Sequence, residues 1–391
     1  IGAGMMGQGI AYVSAMAGIE VVLKDVELEG AERGKAYSEQ LLTKRVGRGR
    51  MTEEQKQAVL DLIKPTAHSG DLAGCDLVIE AVFERVDLKN QVVKEHESLL
   101  AEGGIWGSNT STLPISRLAE ASQRPDHFIG LHFFSPVDKM PLLEIVVGKE
   151  TSDETLARSF DYARQIKKTP IVVEDAVGFY TSRTIGTHIM EGAQLIHEGV
   201  DPVRVEALAK GLMYPVGPLT MLDEVSLALS KDIYKTQLAM GLVKAEDNPT
   251  PDATALIESM VDEHDRPGKK AGRGFYDYGK ATKKMWPGMS KWKKDVDIPD
   301  QDIEDRLLFR PIIESLKCLE EGVLRNVPDG NIGSIMGIGA PPWTGGYLQY
   351  VNTYGLDRFV ARCTELAGKY GARFEAPDIA KKHAAEAKPF V

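Results

Sequence analysis

His132 and Glu144 are the residues of this chain whose types and spacing best suit proton transfer. His132 lies in the apolar, aromatic run Leu131-His132-Phe133-Phe134, which reads as the end of a buried strand. Pro136 and Pro141 then interrupt backbone hydrogen bonding and force a loop, after which Leu142 to Val147 resume as a strand. Strand, loop and strand can return Glu144 to His132. A carboxylate beside an imidazole fixes its tautomer and stabilises the imidazolium, which lets a histidine take a proton near neutral pH.

Such a pair needs a framework, and the upstream sequence supplies one. Gly2, Gly4 and Gly7 fit G-x-G-x-x-G and run into Gln8 to Val13, which reads as a helix. The first glycine makes a tight turn, the second lets backbone approach a pyrophosphate, and the third allows helix and strand to pack closely. The helix N-terminus then faces the phosphates. Ile19 to Leu23 reads as the next strand, and Asp25 follows it where a ribose-binding acid is expected. Asp25 would repel a 2'-phosphate, and Val26 and Glu27 offer no cation for one, so NAD is expected in preference to NADP. Only Ile1 precedes Gly2, whereas this fingerprint follows a central strand; the sequence is therefore expected to be part of a longer chain.

Two further strand ends carry polar groups suited to a ligand. Leu77 to Glu84 reads as a buried parallel strand running into a loop, with Lys89 a turn into the next helix, which makes Glu84 and Lys89 candidates for cofactor contact. Ile105 to Gly107 leads to Ser108-Asn109-Thr110-Ser111-Thr112, whose hydroxyls and amide suit hydrogen bonding to a ligand. Between Lys44 and Arg50, the cations Lys44, Arg45, Arg48 and Arg50 could form a rim that attracts an anionic substrate such as a CoA thioester.

Composition sets the outer bounds. The 391 residues are 43% hydrophobic and 27% charged, and the net charge of -10 is spread along the chain, which argues against nucleic acid as the main partner. Cys75, Cys318 and Cys363 are far apart without CxxC spacing, so neither a disulfide framework nor a metal site is indicated and a reducing compartment fits. No apolar run approaches the roughly 20 residues that span a bilayer, and no signal-peptide pattern opens the sequence. A soluble interior protein is expected.

From Arg183 onward helical spacing dominates: Arg183 to Glu198 is one helix, stopped at Gly199, Pro202 to Leu212 a second and Pro218 to Leu229 a third. Glu304 to Glu321 repeats the first, since Arg183, Glu191, Glu198, Gly199 and Val200 recur as Arg306, Glu314, Glu321, Gly322 and Val323 at a constant offset. A looser echo links Tyr214-Pro215-Val216-Gly217-Pro218 with the stretch Ala340 to Gly346. Two related helical domains in tandem are expected, with boundaries at 1–177 for the nucleotide domain, 178–279 and 301–391 for the helical copies, and a lysine-, glycine- and proline-rich linker over 280–300 between them.

GAGMMGQGIA with Asp25, IEAVFER with Lys89, SNTS, GLHFFSPVDKM and the segment Gly217 to Asp223 together resemble the L-3-hydroxyacyl-CoA dehydrogenase family. More narrowly they resemble the dehydrogenase part of the multifunctional alpha subunit of fatty-acid beta-oxidation complexes, and the match covers essentially the whole chain. The resemblance implies an α/β Rossmann-type NAD-binding domain followed by two tandem all-α C-terminal-type domains. It implies that His132 is the general base, that Glu144 orients it, and that Ser111 sits between substrate and nicotinamide. Gly2, Gly4, Met6, Gly7, Asp25, Glu84, Lys89, Asn109 and Ser135 are expected at the cofactor, and Ser111, Ser182, Lys44, Arg45 and Arg48 at the thioester.

Two positions depart from the single-function enzymes of that family. Ser135 stands where they have HFFNP, and Ser182, in Gly178-Phe179-Tyr180-Thr181-Ser182-Arg183, stands where GFxxNR places an asparagine beside the substrate. A serine is shorter and cannot offer both an amide donor and a carbonyl acceptor. The resemblance also implies an upstream enoyl-CoA hydratase domain, a thiolase beta subunit as partner, and a cytoplasmic location in a bacterium or the mitochondrial matrix in a eukaryote. Two rivals are a dehydrogenase of the 6-phosphogluconate type, which would present a central catalytic lysine, and an NAD-binding or complex-scaffolding module whose catalysis is weakened by Ser135 and Ser182.

Overall fold

The apolar runs around His132 and Glu144 are buried at every position from Phe128 to Phe133 and from Leu142 to Val147, because this sheet is covered on both faces and leaves no solvated side to alternate with. The computed structural model describes residues 1–391 and divides them into two units, Ile1–Phe179 and Tyr180–Val391.

In the first unit the order is α1 (Met5–Met16), β1 (Val21–Lys24), α2 (Leu28–Gly47), α3 (Glu53–Asp61), β2 (Ile63–Thr66), β3 (Leu77–Glu80), α4 (Val86–His96), β4 (Ile105–Ser108), α5 (Ile115–Ala119), β5 (Phe128–Phe133), β6 (Leu142–Val147), α6 (Asp153–Gln165) and β7 (Thr169–Glu174). Strands β1 and β2 pair in parallel, as do β3, β4 and β5; β6 is antiparallel to β5, and β7 is parallel to β6. Ile1 joins the two sets. Its N–H donates to Ile79 O, its carbonyl accepts from Ala81 N–H, and Gly2 N–H donates to Lys24 O, each at 2.8 Å. A cleft of about 740 Å³ beside Ile1 is lined by Val21, Leu23, Leu77, Ile79 and Ile105 among others. Helix α3 begins with a capping box, Thr52 and Gln55 each bonding the other's backbone N–H.

The second unit contains α7 (Thr181–Glu198), α8 (Pro202–Gly211), α9 (Pro218–Val225), α10 (Leu227–Ala239), α11 (Pro251–Asp262), a hairpin of β8 (Tyr276–Tyr278) and β9 (Lys283–Met285), and then α12 (Asp300–Glu320), α13 (Val327–Ile338), α14 (Tyr347–Tyr354), α15 (Leu356–Tyr370) and α16 (Asp378–Ala385). None of the chain's helices is long and apolar enough to cross a membrane.

The expected helix Pro218 to Leu229 is broken at Ser226, which takes φ +90° between α9 and α10. Its hydroxyl donates to Pro267 O at 2.9 Å and accepts from Leu229 N–H at 3.3 Å, so a remote carbonyl and the start of a new helix hold the break. The segment 280–300, expected as a linker, is also structured. Its lysines lie largely outside, but Met285, Trp286, Met289, Trp292 and Ile298 pack on the core of Leu195, Val205, Leu222 and Phe275, and Lys294 N–H donates to Gly199 O at 2.8 Å.

The helices after residue 299 reproduce local devices of the earlier ones. Glu206 Oε1 accepts from Leu219 and Thr220 N–H at 2.8 and 3.2 Å, capping α9, and Asn331 Oδ1 does the same for α14 from Leu348 and Gln349 N–H at 3.1 and 2.9 Å. The break between α9 and α10 at Ser226 has its counterpart between α14 and α15 at Gly355, φ +97°. Arg306 bonds Glu191 and Glu198, while Arg183 bonds Glu314 and Glu321, so each of the two long helices grips the other with the same three side chains.

Candidate active site

Antiparallel pairing of β5 and β6 puts His132 directly opposite Glu144. The Nδ1 to Oε2 distance is 2.7 Å, and the two residues are 6% and 0% exposed. A carboxylate can only accept, so Nδ1 carries the hydrogen and Nε2 keeps its lone pair for a proton from elsewhere. The ring of Phe134 lies 4.5 Å from that of His132 and the ring of Phe179 6.1 Å away, which screens the imidazole from bulk water. The arrangement is that of a general base with a fixed tautomer.

The strand ends beside it converge on Glu84. Its Oε1 accepts from the Thr110 hydroxyl at 2.6 Å, from Ser111 N–H at 3.0 Å and from Thr112 N–H at 3.3 Å, and lies 3.4 Å from the Ser111 hydroxyl. Burial opposes ionisation of this carboxyl, but Lys89, the Thr110 hydroxyl and the Ser111 amide outweigh it and hold its pKa below the ordinary value. Lys89 is 1% exposed and its ammonium lies 3.0 Å from both oxygens of Glu80 and 3.4 Å from Glu84 Oε2. The lysine expected at the cofactor is thus committed below the surface to two carboxylates. Glu80, which sequence reasoning left aside, is buried, bonded by Ser108 as well as Lys89, and is the floor of this cluster. Only its place as the last residue of an apolar strand could have marked it. Asn109 Oδ1 accepts from Phe133 N–H at 2.9 Å and so ties the polar run to the strand of His132.

The glycine loop fits a dinucleotide. Gly2 has φ +89°, and a Cβ on Gly7 would lie 1.8 Å from Gly2 O, so the turn and the start of α1 close on each other only as glycines. A Cβ on Gly4 would meet nothing within 4 Å; that open side is where a pyrophosphate can approach. Helix α1 starts at Gly4 with no side-chain cap and no acidic residue in its first turn, leaving its N–H groups for an anion. Asp25 accepts from Ala3 N–H at 2.8 Å and Val26 N–H at 2.7 Å, fixing the loop at the end of β1. The large apolar side chains that this unit leaves exposed are Met5, Val26, Leu28 and Phe83, all on the loops and helix starts of this edge, as suits the flat faces of a dinucleotide. Met6 is half-buried on the first turn of α1. Ser135 is exposed, with its hydroxyl 3.6 Å from Met5 Sδ.

The basic residues are placed unevenly. Lys44 and Arg48 are exposed at the C-terminal end of α2, where positive charge also complements the helix dipole, whereas Arg45 is half-buried against the Tyr12 hydroxyl. Ser182 belongs to the second unit and is half-buried on the first turn of α7.

Residues 1–176 match the family model described as 3-hydroxyacyl-CoA dehydrogenase, NAD binding domain, and residues 178–278 match that of the C-terminal domain of the same enzymes. The crystal structure of (S)-3-hydroxybutyryl-CoA dehydrogenase from Ralstonia eutropha is 34% identical, with a TM-score of 0.65 over 71% of this chain and 97% of that one. The chain belongs to the 3-hydroxyacyl-CoA dehydrogenase family. As in the rest of this family of NAD-dependent oxidoreductases, the cofactor is NAD. The fatty acid oxidation complex subunit alpha of Shewanella oneidensis is 38% identical over 399 aligned residues, covering 100% of this chain and 55% of the relative, so the chain spans about half the length of the curated relatives it matches. The structure of 3-hydroxybutyryl-CoA dehydrogenase from Escherichia coli has a TM-score of 0.85 over 99% of this chain and 97% of its own at 23% identity, which is a likeness of fold.

Proposed function

We propose that this chain carries out the NAD-dependent oxidation of L-3-hydroxyacyl-CoA to 3-ketoacyl-CoA, as the dehydrogenase portion of the alpha subunit of a fatty-acid beta-oxidation complex. The observation that carries this reading is His132 paired at 2.7 Å with a fully buried Glu144 on an NAD-binding sheet. NAD, when bound, accepts the hydride from C3. His132 Nε2 takes the hydroxyl proton, and Glu144 stabilises the imidazolium that forms. Ser111, its backbone and hydroxyl both directed to Glu84, is held to hydrogen bond the reacting oxygen, and Glu84 with Asn109 fixes the loop that presents it. Asp25, Met6 and Ser135 contact the cofactor, Ser182 contacts the acyl thioester, and Lys44 and Arg48 draw in the anionic CoA.

The nucleotide domain spans 1–177 and the two helical copies 178–279 and 301–391, the second taking the place that a partner subunit's helical domain fills in a single-function enzyme. An upstream enoyl-CoA hydratase, a thiolase beta subunit and an interior compartment, cytoplasmic in a bacterium or mitochondrial in a eukaryote, complete the reading.

The test is NADH oxidation by the full-length chain with acetoacetyl-CoA and a long-chain 3-ketoacyl-CoA, with NADPH as control. Turnover with NADH that falls about 10²- to 10⁴-fold in His132→Ala is the expected result. NADH binding without turnover in the parent chain would instead mark a module kept for binding or assembly.

A further inference from the structure

The loop 134–141 joins the strands of His132 and Glu144, and a side chain with no part in the proposed chemistry holds it. Lys168, one residue before β7, is 8% exposed, and its ammonium donates to the carbonyl oxygens of Val137 and Met140. A buried ammonium is costly unless its donors are met. Here two loop carbonyls meet two of its three donors, with the charge of Asp138 nearby. Burial lowers the pKa of this ammonium and Asp138 opposes the shift.

Other contacts anchor the same loop. Val137 is 2% exposed and sits where a Cβ on Gly9 of α1 would come within 2.8 Å of it, Tyr37 of α2 donates to Asp138 Oδ1 at 3.0 Å, and Thr169 N–H donates to Pro141 O at 2.8 Å. The loop also carries Phe134, against the ring of His132, and Ser135, beside Met5 at the start of α1. Lysine bonds to carbonyls on both sides of the Val137–Met140 turn therefore fix a segment that touches both the base and the dinucleotide helix.

We propose that Lys168 is a positioning residue, pinning Val137 and Met140 so that Phe134 and Ser135 stay in register with His132 and with the start of α1. Its kinetic consequence rests on the dehydrogenase reading; its structural consequence does not. A misplacement of about 1 Å at a reacting group can cost about 10²-fold, so a loosened loop should be visible in turnover.

The experiment compares the full-length parent with Lys168→Met and Lys168→Arg by hydrogen exchange of the peptide covering 134–141, by NADH affinity from fluorescence, and by kcat and KM. In Lys168→Met, loop exchange should rise at least about tenfold, NADH affinity fall about fivefold and kcat fall about tenfold, with KM for the thioester changed less than about threefold. Lys168→Arg, which restores the charge and the donors, should recover most of each change. Loop exchange and NADH affinity within about twofold of the parent in folded Lys168→Met would overturn the proposal. A parent that binds NADH without turnover sinks the dehydrogenase reading alone, because exchange and affinity still decide the role of Lys168. If Lys168→Met does not fold, Lys168→Gln takes its place and is judged by the same two outcomes.

Discussion

Glu144 has no exposed surface and faces the imidazole across the strand pair, so in the proposed reaction its charge acts through His132. Glu144→Gln keeps the shape but offers Nδ1 a carbonyl or an amide in place of a carboxylate. The expected outcome is a fall in kcat of about 10²-fold with NADH affinity within about threefold, since no cofactor contact is removed. A kcat within about threefold of the parent would remove Glu144 from the mechanism. Lys89 poses the opposite question, because its burial between Glu80 and Glu84 makes it a scaffold for the Ser111 loop. Lys89→Met strands two carboxylates, one of them 1% exposed, and should cost about 3–5 kcal/mol in urea unfolding of the full-length chain. Adding Glu80→Gln should return part of that loss. A double variant no more stable than the single one would show that Glu80 is not the residue left unpaired.

At the scale of elements, His188 on α7 is buried, donates from Nδ1 to Leu307 O of α12 at 2.9 Å, and stacks on Tyr214 at 4.1 Å, while its Nε2 has no partner. Burial holds its pKa down to about 4, against weaker opposing pulls from the Leu307 carbonyl, Glu206 and Glu191. The unfolded chain takes up this proton near pH 6.5 and the folded one only near pH 4, so the stability is complete above pH 6.5 and is lost as the pH falls through that window. The loss is on the order of 3 kcal/mol. His188→Phe, which keeps a stacking ring and removes the titration, should flatten the decline of the urea midpoint between pH 6.5 and 4.5. An unchanged slope in the variant would assign the acid sensitivity to other groups. The sequence shows such elements unevenly. The strands of His132 and Glu144 were legible because proline-bounded apolar runs have few ways to fold, but their register was not, because strands buried on both faces carry no alternation to set it. The break at Ser226 was not, because it depends on the carbonyl of Pro267, 41 residues away. The packed segment 280–300 was hidden by its lysines, although Trp286, Met289 and Trp292 stood among them. Lys168 gave no signal at all, since a lysine at a strand entry looks like any solvated one.

At the scale of the whole chain, the repeated Arg, Glu and Glu of α7 and α12 was legible from its constant spacing, but the exchange of partners between the helices required three dimensions. That exchange is symmetric in identity and asymmetric in burial. Arg306 and Glu191 have no exposed side-chain surface, whereas Arg183 is 21% exposed and its partners Glu314 and Glu321 are 11% and 48% exposed. Exposed pairs are screened by water and contribute about 0–1 kcal/mol, while removal of one member of a buried pair costs about 3–5 kcal/mol. Arg306→Met should therefore destabilise the full-length chain more than Arg183→Met, which leaves the less deeply buried Glu314 unpaired, although the two arginines stand at equivalent positions of the repeat; Arg373, also bonded to Glu191, should keep the loss at the lower end of that range. Equal urea midpoints for the two variants would mean that the α7–α12 pairing is not the support it looks to be. In the proposed reading the second helical copy stands in for a partner subunit's helical domain, so a charge reversal at Arg306 should lower stability without changing the stoichiometry seen in light scattering. Dissociation of an assembly by Arg306→Glu would place a subunit interface on α7 and remove the reason proposed for the second helical copy.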